Sequence, residues 1–348
     1  MSTTRFSLCL ALLMAIPAVA QSQGQPRGSE GGKAEASAPA EGQQPGTARS
    51  GKFSLEQAEA LANESLAAKM RAISEKRREN IAKLEQLLAN PDYRKDPERA
   101  PKVMHMLAEA WWEERLYQYL QQRAEWEKAM EAYNQGRLTE PPAEPVEDYT
   151  ESLNLYRRIL QEFPGYARID EVYYYLGKGA LKEGKAKKNR ALQKEGVEYL
   201  NRLVKDYPKS KWIAEALLAM AEYYFETNSL FYAKTNYERI IQQFPNSSMV
   251  NYAMYKLAWV YFNLREYDTA IEMFQKVVAA VGKQGTGKGV IEFRNQALND
   301  LVVTFAEVDN GWQRARDYFL KVMPEEEAYK KLRMLGDRRL QHNARPLR

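Results

Sequence analysis

The stretch closest to a known chemistry is Gly282-Lys283-Gln284-Gly285-Thr286-Gly287-Lys288-Gly289. A phosphate-binding loop of the G-x-x-x-x-G-K-[ST] kind needs glycines for close backbone approach, a lysine for the phosphates and a hydroxyl residue for magnesium. Here Gly289 stands where the hydroxyl residue belongs, and the preceding residues carry helical rather than strand periodicity. The stretch therefore reads as a glycine-rich linker. The two histidines, His105 and His342, have no ligand-spaced neighbours, so neither a zinc site nor a histidine base is expected. Carboxylates are scattered over helix faces, where solvated or i,i+4-paired roles dominate. No serine sits in a nucleophile-elbow context. Cys9 is the single cysteine and lies in an apolar N-terminal run. No catalytic residue, cofactor or metal is expected, and the chain reads as a non-enzyme.

The elements behind these residues repeat. Residues 216–245 (ALLAMAEYYFETNSLFYAKTNYERIIQQFP) are followed by a near-copy at 253–274 (AMYKLAWVYFNLREYDTAIEMF). With Ala233 set over Ala270, Leu217, Met220, Ala221 and Tyr224 align with Met254, Leu257, Ala258 and Tyr261, at a spacing of 37 residues. Large apolar residues recur three and four apart, which stripes one helical face. Ala221 with Ala233, and Ala258 with Ala270, put small residues where two helices must cross closely. Pro164, Pro208 and Pro245 each close a second helix.

This pattern resembles the tetratricopeptide repeat (TPR), a helical hairpin of about 34 residues that stacks into a superhelix. The resemblance implies an all-α fold, a TPR-type helical-hairpin solenoid wound as a right-handed superhelix, with a disordered N-terminal segment. It also implies a concave groove lined by the first helix of each repeat. Carried over at the family's ligand spacings, the groove residues are Trp112 and Glu113, then Tyr174, Lys178 and Lys182, then Leu218, Glu222 and Phe225. The fourth repeat gives Tyr252, Tyr255, Trp259 and Phe262, four aromatics on positions that internal packing does not require. Rings on a rigid helix offer contact area with little loss of rotamer entropy, so Trp259 and Phe262 are the expected anchors of a partner segment. Cover by the next repeat or by the C-terminal helix is the other reading of these four.

Along the chain, residues 1–20 read as a signal peptide: Arg5, the apolar run Phe6 to Ile16, and Ala18-Val19-Ala20 as a cleavage site. The run is too short to span a bilayer comfortably, so no transmembrane segment is expected in the mature chain. Residues 21–52, rich in Gly, Gln, Ser, Ala and Pro, read as a disordered linker. Ser54-Leu55-Glu56-Gln57 has capping-box spacing and opens an N-terminal helical segment over 53–100. Its Leu84, Leu87 and Leu88 make an apolar stripe, so this helix is expected to lie against the repeat beginning near Pro101. A coiled-coil partner helix is the other reading, with Arg77 interrupting its apolar seam. The solenoid is expected over 101–341, as about five hairpins plus a C-terminal helix, leaving a tail at 342–348. Two departures from even spacing stand out. An insertion around 136–148 extends the first hairpin and breaks at Pro141, Pro142 and Pro145. Seven extra residues fall between the helices of the second hairpin, where Lys182, Lys185, Lys187, Lys188 and Arg190 read as a basic, solvent-facing loop. A merely solvated loop and a contact for an acidic protein or anionic polymer are both open readings.

The formal charge of +5, or +4 without Arg5, is too mild for a chain of 348 residues to point to nucleic acid. LAEAWWEE, IDEVYYYLG, AMYKLAWVYFNLREYDTAI and NQALNDLVVTFAE, in this order, resemble periplasmic TPR proteins of the myxobacterial gliding-motility and related envelope machinery. That resemblance spans about Leu84 to Val322. It implies an exported, periplasmic, non-enzymatic scaffold in a multi-protein complex, holding envelope proteins through the concave groove. An adaptor for outer-membrane biogenesis or cell-wall machinery is the alternative reading.

Overall fold

The computed structural model describes residues 55–282 and 287–343, without the side chains of 55–65, 288, 339 and 341–343. The expected signal peptide, linker, Ser54 cap, the centre of the glycine-rich loop and most of the tail lie outside the described residues. The contacts below belong to one compact unit that begins at Glu59. Its helices are α1 (Leu55–Ala89), α2 (Pro91–Arg94), α3 (Ala100–Asn134), α4 (Thr150–Glu162), α5 (Ile169–Ala186), α6 (Arg190–Asp206), α7 (Ile213–Glu226), α8 (Leu230–Gln243), α9 (Val250–Asn263), α10 (Tyr267–Gly282), α11 (Lys288–Phe305), α12 (Gly311–Val322) and α13 (Glu325–Asn343). From α3 to α12 they pair as five hairpins, and each hairpin packs on the next. No described helix is long and apolar enough to cross a membrane.

The hairpins start and stop for local reasons. Three second helices end on an aromatic residue followed by proline: Phe163, Tyr207 and Phe244, whose N–H groups still donate to Ile159, Leu203 and Ile240. The proline removes the next donor and stops the helix. Within four hairpins the turn passes through a left-handed residue: Lys188, Asn228, Arg265 and Asn310, with φ of 53°, 58°, 62° and 54°. In the first three, the following N–H reaches back to Gly184, Tyr224 or Tyr261 at 2.7–2.9 Å and satisfies an orphan carbonyl of the first helix.

Small residues set the crossings. Gly177 faces Gly196 where α5 meets α6: a Cβ on Gly196 would lie 2.7 Å from the Gly177 carbonyl oxygen. Ala221 with Ala233, and Ala258 with Ala270, are fully buried at the equivalent crossings. Around them the inward faces fuse into apolar clusters, centred on Tyr156 and Ile159, on Leu217 and Tyr237, and on Phe274, Phe305 and Phe319. Leu332 and Leu335 of α13 close the last of these.

α1 meets α3 through Ile81 and Leu84 and then through a polar cluster. Glu114 on α3 is fully buried and accepts from Ser74 (2.9 and 3.0 Å), Arg78 (3.0 Å) and Gln118 (3.1 Å), with Arg77 at 3.4 Å. Arg77, an interruption in an apolar stripe, is thus part of the counter-charge that lets Glu114 be buried. Leu87, grouped with Leu84 in that stripe, is 40% exposed.

One length differs from expectation. The seven extra residues of the second hairpin lengthen its helices instead of its turn: only 187–189 are non-helical, and α6 starts at Arg190. Gly184 permits this, since a Cβ there would lie 2.9 Å from the Asn189 carbonyl. In the first hairpin, α3 runs on to Asn134 and the proline-rich segment folds back along it. The Trp126 indole N–H donates to the Pro142 carbonyl at 3.0 Å, and Arg123, stacked 4.4 Å from the Trp126 ring, pairs with Glu144.

Candidate partner-binding groove

The first helices α5, α7, α9 and α11 carry a row of polar and aromatic side chains that touch from one hairpin to the next. On α5, Lys178 donates to the Tyr174 hydroxyl at 3.2 Å, and the Tyr174 ring stacks on Trp212 at 4.6 Å. From α9, Tyr252 donates to Glu222 of α7 at 2.9 Å, and Lys256 sits 4.3 Å over the Phe225 ring. Also from α9, Tyr255 donates to Asp300 of α11 at 2.7 Å. Apart from the Lys178–Tyr174 bond within α5, each of these contacts ties a hairpin to its neighbour through the helix type that lines the concave side in such arrays.

Burial governs the row's charges. It pushes the Glu215, Glu222 and Asp300 carboxyls above the usual carboxylate range, against the opposing pull of their partners. It pulls the Lys178 and Lys256 ammonium groups down, although Glu222 works the other way on both. Glu215 Oε2 is buried without a hydrogen-bond partner. Partly desolvated cations and carboxylates alternating with rings form a surface that a peptide's own polar groups and side chains can complete.

The residues expected in the groove divide. Tyr174, Lys178, Glu222, Phe225, Tyr252 and Tyr255 belong to this row. Trp112 instead stacks on Tyr149 at 4.1 Å and rests on Gly179, where a Cβ would lie 2.7 Å from its ring. That seat makes Trp112 a packing residue between the first two hairpins. Leu218 is 8% exposed and joins the central apolar cluster, and Glu113 pairs with Arg77 at 3.1 Å. Trp259 and Phe262 are half-buried: they meet each other edge-on at 5.2 Å, and α10 covers them partly through Phe274 and Tyr267. Glu215, Lys256 and Asp300 were not expected. The family spacing, extended to two residues before Leu217, would have found Glu215. Lys256 and Asp300 lie one residue outside that spacing, and only their cross-helix partners reveal them.

Only two of the five basic residues are on the connecting turn. Lys182 and Lys185 lie in α5, Lys187 and Lys188 in the short turn, and Arg190 opens α6. Three of them are engaged: Lys182 with Glu147 at 3.3 Å, Lys185 with Glu226 at 2.5 Å, and Lys187 with Glu183 and Asp148 at 2.7 and 3.2 Å. Tyr149 N–H also donates to Glu183 at 2.9 Å, so this end of α5 fastens the returning segment of the first hairpin.

His105, Glu109 and Glu171 bring ligand-type atoms within 4.8 Å of one another. Arg168 already supplies the positive charge there, donating to Glu171 at 2.7 Å and to Glu109 at 3.0 Å. Burial pushes the Glu109 carboxyl up, and His105 and Arg168 overrule it and hold the group below its usual range. The imidazole is fully buried, edge-on to Tyr156 and Tyr166 at 5.5 and 5.7 Å. The cluster reads as a lock between α3 and α5.

Residues 178–283, from Lys178 on α5 to the end of α10, match the family described as Tetratricopeptide repeat-like domain. No curated protein matches the chain significantly. Among solved structures, it is similar to a crystal structure from Podosopora anserina described as kinesin light chain nearly identical TPR-like repeats. The identity is 16% and the TM-score 0.39, over 63% of this chain and 96% of that one. With its helical hairpins, small-residue crossings and matching central stretch, the chain carries an all-α, tetratricopeptide-type hairpin solenoid.

Proposed function

We propose that this protein is a non-enzymatic scaffold that captures a segment of a partner protein along the row from Tyr174 to Asp300. The observation that carries the reading is the set of desolvated groups on that row, Lys178, Glu215, Glu222, Lys256 and Asp300, held beside rings on successive first helices. Repeat arrays of this type generally serve as protein-interaction scaffolds, and their first helices offer a continuous lining. The signal-like residues 1–20 support an exported, periplasmic location, and the phrase-level resemblance supports a place in a gliding-motility-like envelope complex. Partners are envelope proteins, with no role for nucleic acid or a cofactor.

The test is affinity capture from an envelope extract with wild type and with Lys178→Ala/Lys256→Ala, two cations of that row, helical content being checked by circular dichroism. The proposal expects components of a multi-protein envelope complex to be retained by wild type and lost from the folded variant. Outer-membrane assembly factors or cell-wall enzymes in their place would favour the adaptor reading. Equal capture by both proteins would overturn the groove.

A further inference from the structure

The turns inside successive hairpins share one edge of the array, joined by ion pairs between neighbouring tips. Lys182 with Glu147 and Lys187 with Asp148 link the first two hairpins, and Lys185 with Glu226 the second and third. Arg314 with Asp268, at 2.6 Å, links the fourth and fifth. At the third tip two rings project from this edge: Phe231 is 73% exposed and Tyr232 57%. They end a chain of ring contacts, Tyr223 to Tyr224 to Tyr232 to Phe231, with centroids 5.4, 5.1 and 5.8 Å apart. Leu264 continues the exposed apolar line at the fourth tip. Lys188, Arg190 and Arg265 stand exposed at these turns and form no ion pair among the described residues. The acidic groups along this edge are Glu147, Asp148, Glu183, Glu226 and Asp268, each paired with a lysine or arginine, together with Glu266, Glu307 and Asp309 at the fourth and fifth turns.

We infer that this tip edge docks on an anionic lipid surface. The rings protrude from the first turn of α8 instead of lining a cleft, so a rigid protein partner would need a pocket to cover them. A bilayer interface needs none: Phe and Tyr settle at headgroup level, and neighbouring lysine and arginine meet lipid phosphates. Three exposed cations beside two projecting rings provide both terms of interfacial binding, apolar insertion and charge.

The test is co-sedimentation of the full chain with phosphatidylcholine vesicles, with and without phosphatidylglycerol, at low and high salt. Two variants accompany wild type, Phe231→Ser/Tyr232→Ser and Lys188→Glu/Arg190→Glu, with folding checked by circular dichroism. The expected result is salt-sensitive binding to the phosphatidylglycerol vesicles that weakens about tenfold in either folded variant. Equal binding by wild type and both variants would place the contact elsewhere, for example on the apolar run Phe6 to Ile16, and would overturn the inference. So would a wild type that ignores anionic vesicles, or a ring variant that alters self-association while leaving vesicle binding unchanged.

Discussion

Asp300 shows how burial and pairing act together on a single residue. It is 6% exposed and accepts from Tyr255 at 2.7 Å and from Gln296 at 3.3 Å. Burial outweighs these bonds and raises its folded pKa above the ordinary 3.8. The sign follows from proton linkage: below the ordinary value the carboxyl is neutral in both states, and its contribution to stability is complete. As pH rises through the raised native value, the folded state must ionise a desolvated group, and that contribution is lost. Asp300→Asn keeps an acceptor for Tyr255 and removes the charge. Urea unfolding across a pH series should therefore show a component of wild-type stability that declines upward from pH 3.8 and is absent in the variant. Parallel pH profiles for the two proteins would contradict the assignment.

At the scale of elements, the repeat is a rule about which positions must be small. Gly196 occupies the place that Ala233 and Ala270 hold in the following hairpins, and its missing Cβ lets α6 approach α5 to backbone contact. Gly196→Ala would put a methyl 2.7 Å from the Gly177 oxygen and 2.9 Å from the Leu181 nitrogen. Neither atom can swing aside, so the variant should lose about 1–3 kcal/mol in thermal or denaturant unfolding. Gly336 of α13 is the control, because a Cβ there meets nothing within 4 Å. Alanine at Gly336 should hold or raise stability, by about 0.5–1 kcal/mol from helix propensity alone. Loss at Gly336, or none at Gly196, would mean that the hairpin crossings are misplaced. These small positions were legible in the sequence because spacing and residue type recur together. The lengths of α5 and α6 were not: a run of lysines has the composition of a loop, while their ion pairs with Glu147, Asp148, Glu183 and Glu226 are set by the fold.

The whole molecule extends the same contrast. Periodicity and small residues encode a solenoid, because each hairpin buries its stripe only against the next. Polar pairing across elements is not periodic. Glu114 and Ser74 lie 40 residues apart, and Tyr255 and Asp300 lie 45 apart, so nothing local announces either pair. Hence the sequence placed Tyr174, Lys178, Glu222, Tyr252 and Tyr255 at equivalent first-helix positions but could not show that Trp112 is seated against Tyr149 and Gly179. A stacking position resembles a binding position until Tyr149 and Gly179 are placed around it. We propose that one row across the first helices receives a partner segment while the second helices do not. Photocrosslinking in cells tests it most directly, with a photoreactive residue placed singly at Lys178, Tyr252 or Lys256 on the row, and at Arg202 or Lys276 on second helices. Adducts to the same partner from the three row positions, and none from the other two, are the predicted result. Adducts confined to Arg202 or Lys276 would contradict it.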